Sequence, residues 1–210
     1  MTDLQTRFEE AMIACPLVAL LRGLKPEEAV EIGEALYGAG IRLMEVPLNS
    51  PRPLDSIEAL SDAFQNHAVI GAGTVLKTEQ VDEIAAAGGE LIVSPNTNPD
   101  VIKQTRLKNL IPIPGVFTPT DAFAAIEAGA EILKLFPADT GGPGHLKALK
   151  AVLPTNIRVL AVGGVSSKTY SEWRAAGADG AGCGSTLYSA GDDAETVRRK
   201  AEALVAATKQ

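Results

Sequence analysis

This sequence is poor in the residues that most often carry metal or redox chemistry. Its 210 residues include two cysteines and two histidines. Cys15 and Cys183 form no paired-spacing motif and sit among apolar or small residues, so they read as buried free thiols, not a disulfide or a metal pair. His67 lies at a polar helix end and His145 beside a glycine run, with no acidic cluster at ligand spacing, which argues against a metal-dependent mechanism. Positive charge is also short: the formal net charge of −7 argues against a nucleic-acid or anionic-membrane surface, so an anionic ligand needs a local site. No apolar run approaches 18 residues, and the N-terminus lacks the basic-then-apolar order of a signal peptide, so the expectation is a cytoplasmic protein. There is no GxGxxG motif opening a βαβ unit and no P-loop. No histidine sits at a strand end near a serine, which disfavours a Ser-His-Asp hydrolase.

What the chain does have is alternation. After a short amphipathic helix at about 3–14, apolar runs fall at 17–22, 41–49, 69–75, 91–96, 110–117, 131–137, 157–163 and 180–187. Helical patterns follow at about 26–38, 53–65, 78–87, 99–107, 120–128, 144–152, 167–176 and 193–208. Start signals include Pro26 before two glutamates, Thr78 before Glu79, Pro99 before Asp100 and Thr120 before Asp121. Eight βα units imply a parallel sheet in one α/β domain spanning 1–210. Ala-Gly corners at Gly40, Gly88, Gly129 and Gly177, spaced 48, 41 and 48 residues, precede every second strand. That periodicity favours a closed (β/α)8 TIM barrel over an open doubly wound sheet, which stays as the alternative.

Two charges interrupt the apolar runs. Lys134 stands between Leu133 and Leu135 in a strand reading as buried on both faces, where an unpaired ammonium costs several kcal/mol and the pKa falls. A neutral, desolvated lysine is the nucleophile that forms Schiff bases with carbonyl substrates; the structural alternative is a lysine paired with a carboxylate. Glu45, inside the second run, is equally costly. It reads as a salt-bridge partner of Lys134, as a general acid/base with a raised pKa, or as both.

Barrels gather function at the carboxyl ends of their strands. There the chain places Arg22 as an anion clamp or helix partner, Thr74 after Gly71-Ala72-Gly73, and Pro95-Asn96 after Ser94. Gly163-Gly164 after run seven and Gly184-Ser185 in run eight favour a phosphorylated ligand held on backbone amides. Gly141-Gly142-Pro143-Gly144 opens a helix whose free amides could serve the same site.

The segments EVPLNSP (45–51), GAGTVL (71–76), SPN (94–96), PG (114–115), LKLFPA (133–138), GHLKALKAVLP (144–154) and AVGGV (161–165) resemble the bacterial KDPG/KDPGal aldolases, in order from about residue 13 to 207. The resemblance implies a class I, Schiff-base, pyruvate-forming aldolase without metal or cofactor, on a small barrel, as a homotrimer acting on a phosphorylated 2-oxo acid. It makes Lys134 the Schiff-base lysine and Glu45 the general acid/base. Thr74 would help hold the pyruvate moiety and Pro95 set the aldehyde's approach. Arg22, Gly163, Gly164, Gly184 and Ser185 would line the substrate's anionic groups, with Phe136 beside the lysine. Gluconate-type members typically read EVTLRT around the glutamate, with threonine before the double glycine. Pro47, Asn49 and Val162 depart from that and look like the galactonate branch, which implies 2-dehydro-3-deoxy-6-phosphogalactonate as substrate. The gluconate epimer and 4-hydroxy-2-oxoglutarate remain as alternative substrates. A phosphate-binding isomerase and a non-catalytic sugar-phosphate sensor remain as alternative classes.

Overall fold

The computed structural model describes residues 3–209. The apolar runs become β1 (Leu17–Leu20), β2 (Leu43–Pro47), β3 (Val69–Gly73), β4 (Leu91–Val93), β5 (Ile111–Ile113), β6 (Gly115–Val116), β7 (Ile132–Leu135), β8 (Arg158–Val162) and β9 (Gly180–Cys183). All pair in parallel, in the order β5-β4-β3-β2-β1-β9-β8-β7-β6. The two segments at the ends of that order, β5 and β6, are pieces of the run read as one strand at 110–117. Pro114 separates them because it has no N–H for the ladder. On one side the Ser94 N–H donates to Ile113 O. On the other the Lys134 and Phe136 N–H groups donate to Pro114 O and Val116 O. The split run thus bridges both edges, and eight strand positions form the (β/α)8 barrel that the alternation predicts.

Around it lie α2 (Pro26–Ala39), α3 (Pro53–Ala63), α4 (Thr78–Ala86), α5 (Pro99–Leu107), α6 (Pro119–Glu127), α7 (Ala138–Lys150), α8 (Tyr170–Ala175) and α9 (Ala194–Ala207). The four Ala-Gly corners behave as read: Gly40, Gly88, Gly129 and Gly177 all have left-handed φ, from 80° to 110°. Some helix starts differ from expectation, and α8 begins at Tyr170, three residues past the expected 167. The signal for α6 is Thr118, not Thr120: Thr118 and Asp121 form a capping box. The helix expected from 144 is the second part of α7: a short helical turn from Ala138, straight after Pro137, precedes it, and the non-helical Gly142 (φ 72°, ψ 174°) separates the two. None of the described helices is long and apolar enough to cross a membrane.

Strand side chains alternate between two cores. Outward residues such as Leu17, Met44, Ile70, Leu133 and Val159 meet the helices. Inward residues Val18, Leu43, Val69, Leu91, Ile111, Ile132 and Leu160 fill the barrel, and α1 (Asp3–Ala14) closes its amino end with Phe8, Ala11 and Met12. Two ion pairs pin this plug, Arg7 to Glu90 at 2.5 Å and Arg158 to Glu9 at 2.6 Å. Truncation of the buried Phe8 to alanine should lower folding stability by about 3–5 kcal/mol. Urea denaturation measures this, and a loss below about 1 kcal/mol would mean α1 is not part of the barrel core.

Candidate active site

The inward alternation that fills the barrel also aims its two charges. Glu45 is the second inward residue of β2 after Leu43, and Lys134 follows Ile132 inward on β7. Both point into the barrel interior above its apolar layer. Glu45 is 1% and Lys134 5% exposed. Burial pushes the Glu45 carboxyl up to about 7, with the nearby Lys134 and Arg22 charges pulling it only partly back. Burial likewise pulls the Lys134 ammonium below its ordinary value, opposed by Glu45 and assisted by Arg22. Desolvation dominates both groups, so each is driven toward its neutral form.

The salt bridge allowed by the sequence is not formed. Among the described residues, no ion pair within 4.0 Å joins Lys134 to Glu45. Glu45 Oε2 is buried with no hydrogen-bond partner. A buried, orphaned carboxylate oxygen is costly as structure and useful as a proton carrier. The amine has a softer neighbour, the Phe136 ring, whose centroid lies 4.6 Å from Nζ.

The chamber at Lys134 is walled by Val18, Leu20, Val93, Ile113, Leu160, Val162 and Gly182. Leu20, Val162 and Gly182 also line a cleft of about 130 Å³, completed by Phe136, Gly163, Gly164, Val165, Gly184, Ser185 and Thr186. The loops after β8 and β9 therefore form one site with the lysine's chamber. Gly163 and Gly164 both have left-handed φ, 114° and 70°. A side chain at either would crowd the first turn of α7: Asp139 Oδ1 and Ala138 N at 3.2 Å, or Asp139 Cβ at 2.9 Å. A helical turn starts at Gly184, whose carbonyl accepts from the Leu187 and Tyr188 N–H groups, so Ser185 and Thr186 stand at its amino end. The Thr186 hydroxyl donates to Val165 O at 2.8 Å, locking the two loops together. The arrangement suits a dianion held on backbone amides.

The remaining sequence-predicted residues ring the mouth. Arg22 is exposed and its Nη1 donates to Asn49 Oδ1 at 2.7 Å, which joins the loops after β1 and β2. Beside them the Gly23 N–H donates to Ser50 Oγ at 3.0 Å. Thr74 follows β3 with φ of 60°, a strained value for a β-branched residue. Pro95 is half-buried after β4, where the carbonyl it carries packs against Gly115. Arg22, Asn49, Thr74 and Pro95 line neither the chamber nor the glycine cleft.

One expectation about the cleft is corrected. None of residues 141–144 lines it, and the residue that follows them packs on the loop after β6. There His145 Nε2 meets Phe117 O at 2.6 Å and the two rings stack at 4.6 Å. Leu20, Ser50 and Thr186 were not singled out in the sequence, although Leu20 was readable as the inward position two residues after Val18. Wider clefts at the opposite end are lined by Arg7 and Arg42, but both guanidiniums are occupied. Arg7 pairs with Asp3 and Glu90, and Arg42 donates to Tyr37 O and Ile41 O. Cys15 and Cys183 are buried free thiols, as read, and burial pushes them up to about 11 and about 12.

Fold and site together define a barrel enzyme with a buried amine and a buried carboxyl in its interior and a glycine-lined cleft at the carboxyl-end mouth beside them. Residues 8–200 match the KDPG and KHG aldolase family, and the chain belongs to that family of carbon–carbon lyases. It is 48% identical over 195 residues to the 2-dehydro-3-deoxy-6-phosphogalactonate aldolase of Escherichia coli K12, covering 93% of this chain and 95% of that one. The KHG/KDPG aldolase of the same organism is 30% identical over 177 residues, 83% of this chain and 82% of the other. A solved native KDPGal structure superposes with a TM-score of 0.91 at 48% identity, covering 92% of this chain and 94% of that chain.

Proposed function

We propose that this chain, acting as one catalytic domain, cleaves 2-dehydro-3-deoxy-6-phospho-D-galactonate to pyruvate and D-glyceraldehyde 3-phosphate. The observation that carries the reading is a desolvated Lys134 in the chamber that opens on the glycine cleft, with the buried Glu45 carboxyl, pushed up to about 7, within its electrostatic reach. The neutral Lys134 amine attacks the C2 ketone, and protonated Glu45 donates as the carbinolamine loses water. The iminium accepts the electron pair of the breaking C3–C4 bond while the Glu45 carboxylate takes the C4 hydroxyl proton. Glyceraldehyde 3-phosphate leaves, and Glu45 returns the proton to C3 of the enamine. Hydrolysis of the resulting imine frees pyruvate and the lysine. No step calls for a metal, because the iminium is the electron sink. A phosphate held on the loops after β8 and β9 fixes the far end of the substrate, so remote binding energy orients the bond to be broken. We place Arg22 and Asn49 at the mouth as substrate contacts, Thr74 at the pyruvate moiety and Pro95 beside the aldehyde carbon. The same reading makes the enzyme a cytoplasmic homotrimer, which sedimentation tests.

The galactonate branch is supported by EVPLNSP and by Val162 on the cleft wall, together with the higher identity to the galactonate-type relative. The expected result is a higher kcat/KM for the galactonate-derived substrate than for its C4 epimer. Val162→Thr should narrow that ratio by about tenfold, the scale at which one hydroxyl in a pocket discriminates. Incubation with pyruvate and borohydride should leave a stable adduct on Lys134. Absence of the adduct would remove the imine mechanism and favour the isomerase or sensor alternatives.

A further inference from the structure

We propose that Gly73 is a positioning residue for Glu45: its missing side chain is the seat in which the carboxylate rests. Gly73 ends β3 and pairs in register with Pro47, two residues beyond Glu45 on β2, while Glu45 itself pairs with Gly71. On neighbouring strands this places Gly73 one step nearer the mouth on the inward face. A methyl group built at Gly73 would overlap three atoms before any others, Glu45 Oε2, Oε1 and Cδ. The space that any side chain at 73 would take is the space the carboxylate fills.

The backbone gives no other reason for glycine there. Gly73 is absent from the residues with left-handed φ and lies within a regular strand, where alanine fits. Gly71 is a useful contrast, because a methyl group there would run into the Leu91 main-chain carbonyl and β4 would have to move. At Gly73 the atoms met first are the far end of a flexible side chain, not a main chain. Glu45 Oε2 accepts no hydrogen bond from the described residues, so at this oxygen the shape of the wall does what a polar partner would otherwise do. The residue that follows, Thr74, leaves the strand at φ 60°, so the chain turns away immediately past the seat.

The test is Gly73→Ala, read in three ways. In melting experiments, G73A should lower Tm in the native background but leave it unchanged or raised when combined with E45A, which removes the carboxylate. An equal loss in both backgrounds would assign the glycine to the strand and overturn the proposal; so would failure of the double variant to fold where E45A alone folds. In ¹³C spectra of glutamate-labelled protein, the Glu45 titration should move down from about 7 by about one unit, because the displaced carboxylate meets water. An unmoved midpoint would also overturn it. These two readouts need no turnover and stand whether or not the aldolase reading holds. The third rests on that reading: kcat should fall about 100-fold with KM unchanged, the scale expected for a reacting group misplaced by about 1 Å. In an E45Q background the same substitution should add no further loss of kcat, and a loss of equal size in both backgrounds would again count against the seat.

Discussion

Lys134→Met is expected to abolish turnover and at the same time to stabilise the fold. Methionine matches the length and apolar stem of lysine but cannot form an imine. The reaction then loses its electron sink, and a fall in kcat of about 10⁴-fold or more, about 5 kcal/mol of barrel-supplied barrier lowering, follows. Borohydride trapping with pyruvate should vanish as well. Stability should rise by about 1–2 kcal/mol, because a polar amine that is 5% exposed, costly to bury in either protonation state and without a salt bridge, is replaced by a side chain suited to the chamber. Loss of activity with loss of stability would instead make Lys134 a structural residue. The substitution also touches its neighbour. Lys134 is the larger of the two charges holding the Glu45 carboxyl down, so in K134M that group should titrate above its native value of about 7.

Glu45→Gln should cost kcat about 10²- to 10⁴-fold while leaving the lysine able to react, since it removes proton transfer and not the nucleophile. Its second signature is in stability against pH. A carboxyl raised from 4.5 to about 7 binds its proton more tightly in the folded chain than in the unfolded one. Its contribution to stability is therefore greatest below the ordinary carboxylate range. It is lost as pH rises from about 4.5 to 7, by about 3 kcal/mol in all, and is level above that. Lys134 acts in the opposite sense at higher pH. Its folded pKa is depressed, so stability should recover as pH climbs toward the ordinary lysine value of 10.5. Denaturant titrations across pH should show the first slope in the native protein and its disappearance in E45Q. A slope that persists in E45Q would assign it to other groups.

The fold was legible in the sequence because barrel strands carry a repeated signature, an apolar run after an Ala-Gly corner, and nothing in the chain interrupts it. Boundaries were read less well where a single residue overrides a pattern. Pro114 cuts one strand in two, and the non-helical Gly142 sets a short turn from Ala138 ahead of the helix whose periodicity is readable. Of the site, the buried charges were legible because a lysine or glutamate inside an apolar run is conspicuous whatever the fold. The chamber's relation to the glycine cleft was not, since it depends on Leu20, Val162 and Gly182 meeting from three strands. The role argued for Gly73 was hidden for another reason: what matters there is an absent side chain, and its neighbour is 28 residues away.

Packing α1 into the amino end of the barrel has a consequence for traffic. Phe8, Ala11 and Met12 stopper that end, so the reaction chamber is a blind tube with one doorway. Whatever is bound deepest must leave last. On the proposed mechanism the aldehyde half, lying toward the doorway and bearing the phosphate, departs first, and the pyruvyl half stays tethered to Lys134 until water reaches it. A free pyruvate molecule entering an empty tube would occupy the same berth as incoming substrate and compete with it directly, while the aldehyde would meet an enzyme already charged with its partner.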